Sequence, residues 1–226
     1  IGRDLRAEGE SFEIRSRLLR ARVARLRGEE QTARAELERL LTYSDDALKA
    51  ESLRDAGGLW AEIGEVDRAR QVLTRLRPLA SSRPEPFRDS CVRILEAEVA
   101  LAEGRMSEAA AILADAALHR PRYQIDWGLG RVHVAQGEWA LAAGAFERVL
   151  EARGEILRDG FPAHWPLARL ELARARRAQG ELEDARAHYS TFFSLWSDAD
   201  PLLVHAEAFR EWRDLGTEGR ASELSQ

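Results

Sequence analysis

The chain has 226 residues, 45% of them hydrophobic and 32% charged, a balance that suits a folded protein whose helices keep one wet face and excludes a disordered tail. A net charge of −5 gives no global pull toward nucleic acid or anionic membrane, so neither is expected as a partner. The one cysteine, Cys91, excludes an intrachain disulfide and argues against a thiolate zinc site, and no stretch approaches the ~20 apolar residues of a membrane span.

Alanine, leucine, arginine and glutamate dominate, proline is scarce and β-branched runs are few, which predicts helix nearly throughout. One pattern recurs along the chain. The first predicted hairpin, 11–43, turns at Gly28; the second, 46–78, at Gly64; and the third, 84–120, at Gly104, with Pro121 closing it. The fourth, 122–152, turns at Gly137, and the fifth, 164–198, at Gly180. Between these two, Gly154, Gly160 and Pro162 predict a longer loop over 151–165. After the fifth hairpin, Asp200-Pro201 supplies an N-cap and a first-turn proline for a capping helix over 201–215. Its predicted apolar stripe is Leu202, Ala206, Phe209 and Trp212, with Gly216 as a stop and 217–226 as a flexible tail. The start at Ile1, in a charged stretch, suggests a piece of a longer protein.

The turn glycines are 36, 40, 33 and 43 residues apart. Five residues after each comes an alanine: Ala33, Ala69, Ala109, Ala142 and Ala185. Four further on stand Leu37, Leu73, Leu113, Phe146 and Tyr189, and three beyond those Leu40, Leu76, Ala116, Val149 and Phe192. Glycine enters the left-handed conformation without a Cβ penalty and so ends a helix. The alanine lets two antiparallel helices approach, and the positions four and seven beyond it share its face. Ala21, Gly57, Ala97, Gly130 and Ala173, seven residues before each turn, do the matching job on the first helix. A hairpin of this kind cannot bury its apolar face alone and is stabilised by its neighbours.

This spacing resembles the tetratricopeptide repeat. The resemblance implies an all-α, right-handed α-solenoid of about five such hairpins plus a capping helix. From Tyr123 to Leu215 it tightens, through Ala145-Phe146-Glu147-Arg148-Val149-Leu150 and Leu195-Trp196-Ser197-Asp198-Ala199-Asp200-Pro201, toward the C-terminal repeat regions of multidomain bacterial signalling proteins. These include serine/threonine kinases and winged-helix regulators. It implies a sensory or partner-binding appendage, cytoplasmic by default, with an extracytoplasmic tail of a membrane-anchored protein as the alternative.

Catalytic and cofactor motifs are missing. The five histidines, His119, His133, His164, His188 and His205, include no pair at a spacing of three or four, so no metal is expected. Gly128-Leu129-Gly130 lacks the third glycine of a dinucleotide loop and lies in a helical segment, where small residues serve packing. No cofactor and no catalytic residue is assigned, and the chain is read as a non-enzyme. Trp139 and Trp196 suit packing between hairpins, and Trp212 the cap.

In the fold that the resemblance implies, first helices line the concave surface. Counting back from each turn places Arg15, Arg22 and Arg25 there in the first hairpin and Arg54 in the second. Trp127 and Arg131 follow in the fourth, and Arg174 and Arg177 in the fifth. The third presents Cys91, Ile94, Glu98 and Leu101 instead. An arginine-rich groove suits an acidic protein or peptide partner, with Trp127 as an aromatic anchor, although a chain with 33 arginines and one lysine must direct some of them inward. A homodimerisation module and a small-molecule sensor are the alternatives.

Overall fold

Five glycines with φ between 72° and 81°, Gly28, Gly64, Gly104, Gly137 and Gly180, are the positions where the described backbone turns left-handed. Each closes its helix with the same two bonds. The glycine N–H donates three residues back, as Gly180 does to Arg177 at 2.9 Å, and the next N–H donates five back, as Glu138 does to His133 at 2.8 Å. This is the Schellman arrangement, which satisfies the last carbonyls of a helix. The residue after the glycine then accepts the first bond of the following helix from the pattern alanine, Ala33 to Glu29 and Ala185 to Glu181 both at 3.0 Å. One helix ends and the next begins with almost no intervening chain.

A computed structural model of the protein describes residues 5–44, 48–82, 85–119, 122–159, 161–197 and 203–223. Twelve helices and no strand occur among the described residues. The chain divides into two compact units, 1–121 and 122–226. The first holds three hairpins: α1 (Leu5–Leu26) with α2 (Glu30–Leu41), α3 (Ala50–Glu62) with α4 (Val66–Ser82), and α5 (Pro86–Ala102) with α6 (Met106–His119). The second holds α7 (Tyr123–Gln136) with α8 (Trp139–Glu151), a short α9 (Arg153–Asp159), α10 (His164–Ala178) with α11 (Leu182–Leu195), and a terminal α12 (Leu203–Glu223).

The pattern residues form the core of each unit. All five alanines after the turns are at most 1% exposed, and the residues four and seven beyond them are buried in every hairpin. Seven residues before the turn, space explains the small side chains. A Cβ on Gly57 would lie 2.5 Å from a Leu95 methyl, and one on Gly130 would lie 2.6 Å from the Phe146 ring. Large residues from one helix fill the notches left by small ones on the other.

Four features depart from the sequence expectations. Helix α1 begins at Leu5, ahead of residue 11. The expected loop over 151–165 contains α9, because Ile156 and Phe161 bury to 0% and 5% exposure, and that burial outweighs the breaking tendency of Gly154. Helix α12 runs through Gly216 to Glu223; a glycine inside a helix costs about 1 kcal/mol and does not by itself stop one. The stripe of α12 is also rotated. Ala208 and Leu215 are fully buried, with Val204 and Trp212 packed beside them, whereas Ala206 is exposed and Phe209 is 52% exposed. Pro121, Gly160, Leu202, Asp200-Pro201 and the hairpin limits at 46, 84, 120 and 198 lie outside the described residues.

Candidate functional site

The first helices carry the candidate arginines, which fall into one set in each unit. In the first unit Arg22 on α1 pairs with Asp55 on α3 at 2.9 Å, and Arg25 pairs with Glu62 at 2.7 Å. Arg54, only 7% exposed, donates to the other oxygen of Asp55 at 2.9 and 2.7 Å and reaches the Cys91 sulfur on α5 at 3.8 Å. Asp55 therefore joins Arg22 and Arg54. Arg15 is exposed, and the α5 positions Cys91, Ile94 and Glu98 are buried. Helix phase explains the pairing: residues six and three before a turn face the next first helix, where a carboxylate neutralises the guanidinium.

In the second unit Trp127 is half-buried and stacks edge-on against Phe146, with ring centres 5.7 Å apart, and 4.9 Å from the His164 ring. Tyr123 and Phe161 also lie against His164, at 5.6 and 4.8 Å. The Trp165 indole N–H donates to the Leu150 carbonyl at 3.2 Å, while Arg153 and Arg169 lie over its ring at 4.8 and 5.1 Å. These rings tie α7, α8 and α10 together, and Trp127 is part of that packing.

The last hairpin holds the most developed polar site. Arg174 donates through Nε and one Nη to the two oxygens of Glu211, both at 2.9 Å, and through its other Nη to Glu171 at 2.8 Å. The Tyr189 hydroxyl, on a ring otherwise buried, donates to Glu211 at 2.8 Å. Arg174, Arg177, Ala178, Tyr189 and Glu211 line a cleft of about 380 Å³. Arg131 acts electrostatically on Glu171 at the same face.

Charge and burial work against each other there. Burial alone would raise the Glu211 carboxyl pKa, but the hydrogen bonds and charge of Arg174, with the Tyr189 hydroxyl and Arg177, hold it below the usual carboxylate value. Burial likewise opposes the Arg174 charge, and Glu211 and Glu171 more than compensate, so its pKa lies above the ordinary arginine value. Burial and the bond to Glu211 push the Tyr189 hydroxyl well up, which keeps it a donor at neutral pH. Arg174 and Tyr189 thus hold the Glu211 carboxylate with a planar fork plus a phenol.

Among the sequence-selected residues, Arg22 and Arg54 meet through Asp55, Arg174 and Arg177 line one cleft, and Arg131 lies near Glu171. Sequence reasoning missed Tyr189, taken only as a core residue, and the carboxylates Asp55, Glu62, Glu171 and Glu211. Glutamates recur on every wet face, and only helix phase distinguishes these. Among the described residues no group of histidine, cysteine or acidic side chains could hold a metal ion.

A tetratricopeptide repeat family model matches residues 94–156 and 128–200. No curated protein matches the chain. A thermophilic TPR protein of Thermus thermophilus is similar in structure, with a TM-score of 0.62 at 18% identity, over 91% of this chain and 98% of that one. The TPR-like repeats of a Podospora anserina kinesin light chain align over 83% of this chain and 96% of that one, at 21% identity and a TM-score of 0.47. The family match over residues 94–200, with the same turn geometry at all five glycines, shows that the chain carries tetratricopeptide repeats, a fold that supports a protein–protein interaction scaffold and that it shares with the Thermus protein.

Proposed function

We propose that the chain is a non-catalytic, partner-binding part of a larger bacterial signalling protein, acting in the cytoplasm and using the first-helix faces of its hairpins. The candidate residues are Arg22, Arg25 and Arg54 in the first unit and Trp127, Arg131, Arg174 and Arg177 in the second. The favoured partner is an acidic protein segment. One observation supports this reading: in the last hairpin Arg174 and Tyr189 hold the chain's own Glu211 carboxylate with directed hydrogen bonds, the contact an acidic partner segment would make in its place. Charge-assisted forked contacts of this type select carboxylates over neutral groups. No helix among the described residues is long and apolar enough to cross a membrane, which is consistent with a face that meets aqueous partners.

The test is quantitative capture from cell extract, comparing wild type with an Arg131→Glu, Arg177→Glu double variant of unchanged circular dichroism. A partner held by wild type and lost by the variant supports the reading; equal capture by both removes the first-helix face of the second unit as the site. Trp127 is left intact in this test because truncating it would hollow the packing against Phe146 and His164.

A second reading, homodimerisation, is favoured by Phe12 and Leu19, which are 68% and 49% exposed. Seven residues apart, they lie on one side of α1.

A further inference from the structure

Helix α12 holds its place in an unusual way. The groups that hold Glu211 come from the last hairpin: Arg174 on α10 and Tyr189 on α11 by hydrogen bonds, and Arg177 on α10 by its charge. Those residues are positioned by the repeat itself. Arg174 lies six residues before the turn, as Arg22 does in the first hairpin, and Tyr189 occupies the core position nine after it. In the first hairpin the guanidinium six before the turn takes a carboxylate from the next first helix, Arg22 to Asp55. Glu211 plays the same part for Arg174, so α12 occupies the place of a next first helix.

The difference is what backs it. Helix α3 is locked by its own partner α4 and buries nine residues. Helix α12 buries Ala208 and Leu215 among its described side chains, with Val204 and Trp212 only partly covered and Phe209 half exposed. The acceptor is thus preformed by a well-packed hairpin, while its occupant is a single helix with a thin apolar seam and one strongly held carboxylate. Elements held by few buried contacts open at lower free energy than the core around them.

Resting on the partner-binding reading above, we propose that the face of α10 and α11 carrying Arg174, Arg177 and Tyr189 is the docking site for an acidic amphipathic helix of a partner, and that α12 covers it in cis, with Glu211 standing where the partner's carboxylate binds. The pattern that fits is visible in α12: a small residue, a glutamate three later and a leucine seven later, as in Ala208, Glu211 and Leu215. An intramolecular occupant lowers the apparent affinity of any competitor by the fraction of time the face is free, so weakening α12 strengthens partner binding.

The experiment uses the full chain and a fluorescein-labelled synthetic peptide with the sequence of residues 203–223 as probe, read by anisotropy. E211Q in the chain keeps the side-chain volume and removes the charge that engages Arg174. We expect the probe to bind the E211Q chain at least tenfold more tightly than wild type. A probe that itself carries E211Q should lose that gain. Amide exchange should quicken in α12 of the E211Q chain while α10 and α11 keep their protection. E207Q, at a 47% exposed carboxylate 4.0 Å from Arg174, should behave as wild type. Should E211Q reduce the helical signal beyond α12, Y189F, which deletes one hydrogen bond to Glu211 and keeps the ring, serves for the exchange measurement. If the probe binds wild type and E211Q alike and Arg174→Lys weakens both, the cis occupancy is overturned while the docking reading survives. If the probe binds neither chain at millimolar concentration, both fall at this face.

Discussion

Gly130 and Gly57 occupy the same place in their hairpins, seven residues before the turn, yet their neighbours differ in stiffness. A methyl at 130 meets the fully buried, rigid Phe146 ring, whereas a methyl at 57 meets the terminal methyls of Leu95. Overpacking costs about 1–3 kcal/mol, against a helix-propensity gain of about 1 kcal/mol for glycine to alanine. We expect G130A to lower the thermal midpoint by several degrees and G57A to lower it distinctly less, measured by circular dichroism; equal losses would show that ring stiffness is not what decides. At Gly137 nothing lies within 4 Å of an added Cβ, but φ is +72°. G137A should therefore cost about 1–2 kcal/mol through the backbone alone, seen as a shifted denaturation midpoint with unchanged slope. These positions were legible in the sequence because left-handed backbone and close helix approach each demand one residue type. The partners of the arginines were not. A guanidinium on α1 is satisfied by Asp55 and Glu62 on α3, and which of 39 acidic residues does so depends on how two helices are rotated against each other.

Among elements, α12 shows where pattern reading falls short. Its apolar residues admit more than one stripe, and the stripe through Phe209 is the one left largely to solvent. What fixes the rotation is polar: Glu211 must reach Arg174 and Tyr189, which turns Ala208 and Leu215 inward. Helix α9 was hidden for a related reason, since Gly154 and Pro162 are local breakers and the burial of Ile156 and Phe161 that overrides them is tertiary. Glu211 also gives α12 a pH signature. Its folded-state pKa is depressed below the ordinary value of 4.5, so its contribution is complete above that value and is lost as pH falls through the folded-state pKa. Arg174, Arg177, Tyr189 and Glu171 surround it, and Arg174 sets the sign. The midpoint advantage of wild type over E211Q should hold from pH 7 down to about 5 and shrink toward pH 3; a gap independent of pH would mean that the carboxylate charge does not hold the helix.

At the scale of the whole chain, a hairpin face that no neighbour covers is a place for another copy to pack. Helix α1 leaves Phe12 and Leu19 open. If this surface pairs two copies, the double variant Phe12→Glu, Leu19→Glu should turn a concentration-dependent mass in light scattering into a constant monomer mass, while stability changes by no more than about 0.5 kcal/mol, as befits exposed positions. A wild-type mass that stays monomeric at high concentration removes the dimer reading. The fold class was legible at this scale because five repetitions of one local rule leave few alternatives, whereas the partner is not written in a scaffold that many proteins share. The five identical turns carry one more implication. Each joins its two helices with the same bonds and no slack, so the uneven spacing of 36, 40, 33 and 43 residues is absorbed in the lengths of the helices, 12 and 13 residues for α2 and α3 against 17 each for α4 and α5, and in the return from a second helix to the next first helix. Growth and loss of sequence have a permitted edge and a forbidden one: a foreign loop grafted after Glu151 should leave both flanking hairpins folded, and the same loop grafted after Gly137 should separate α7 from α8.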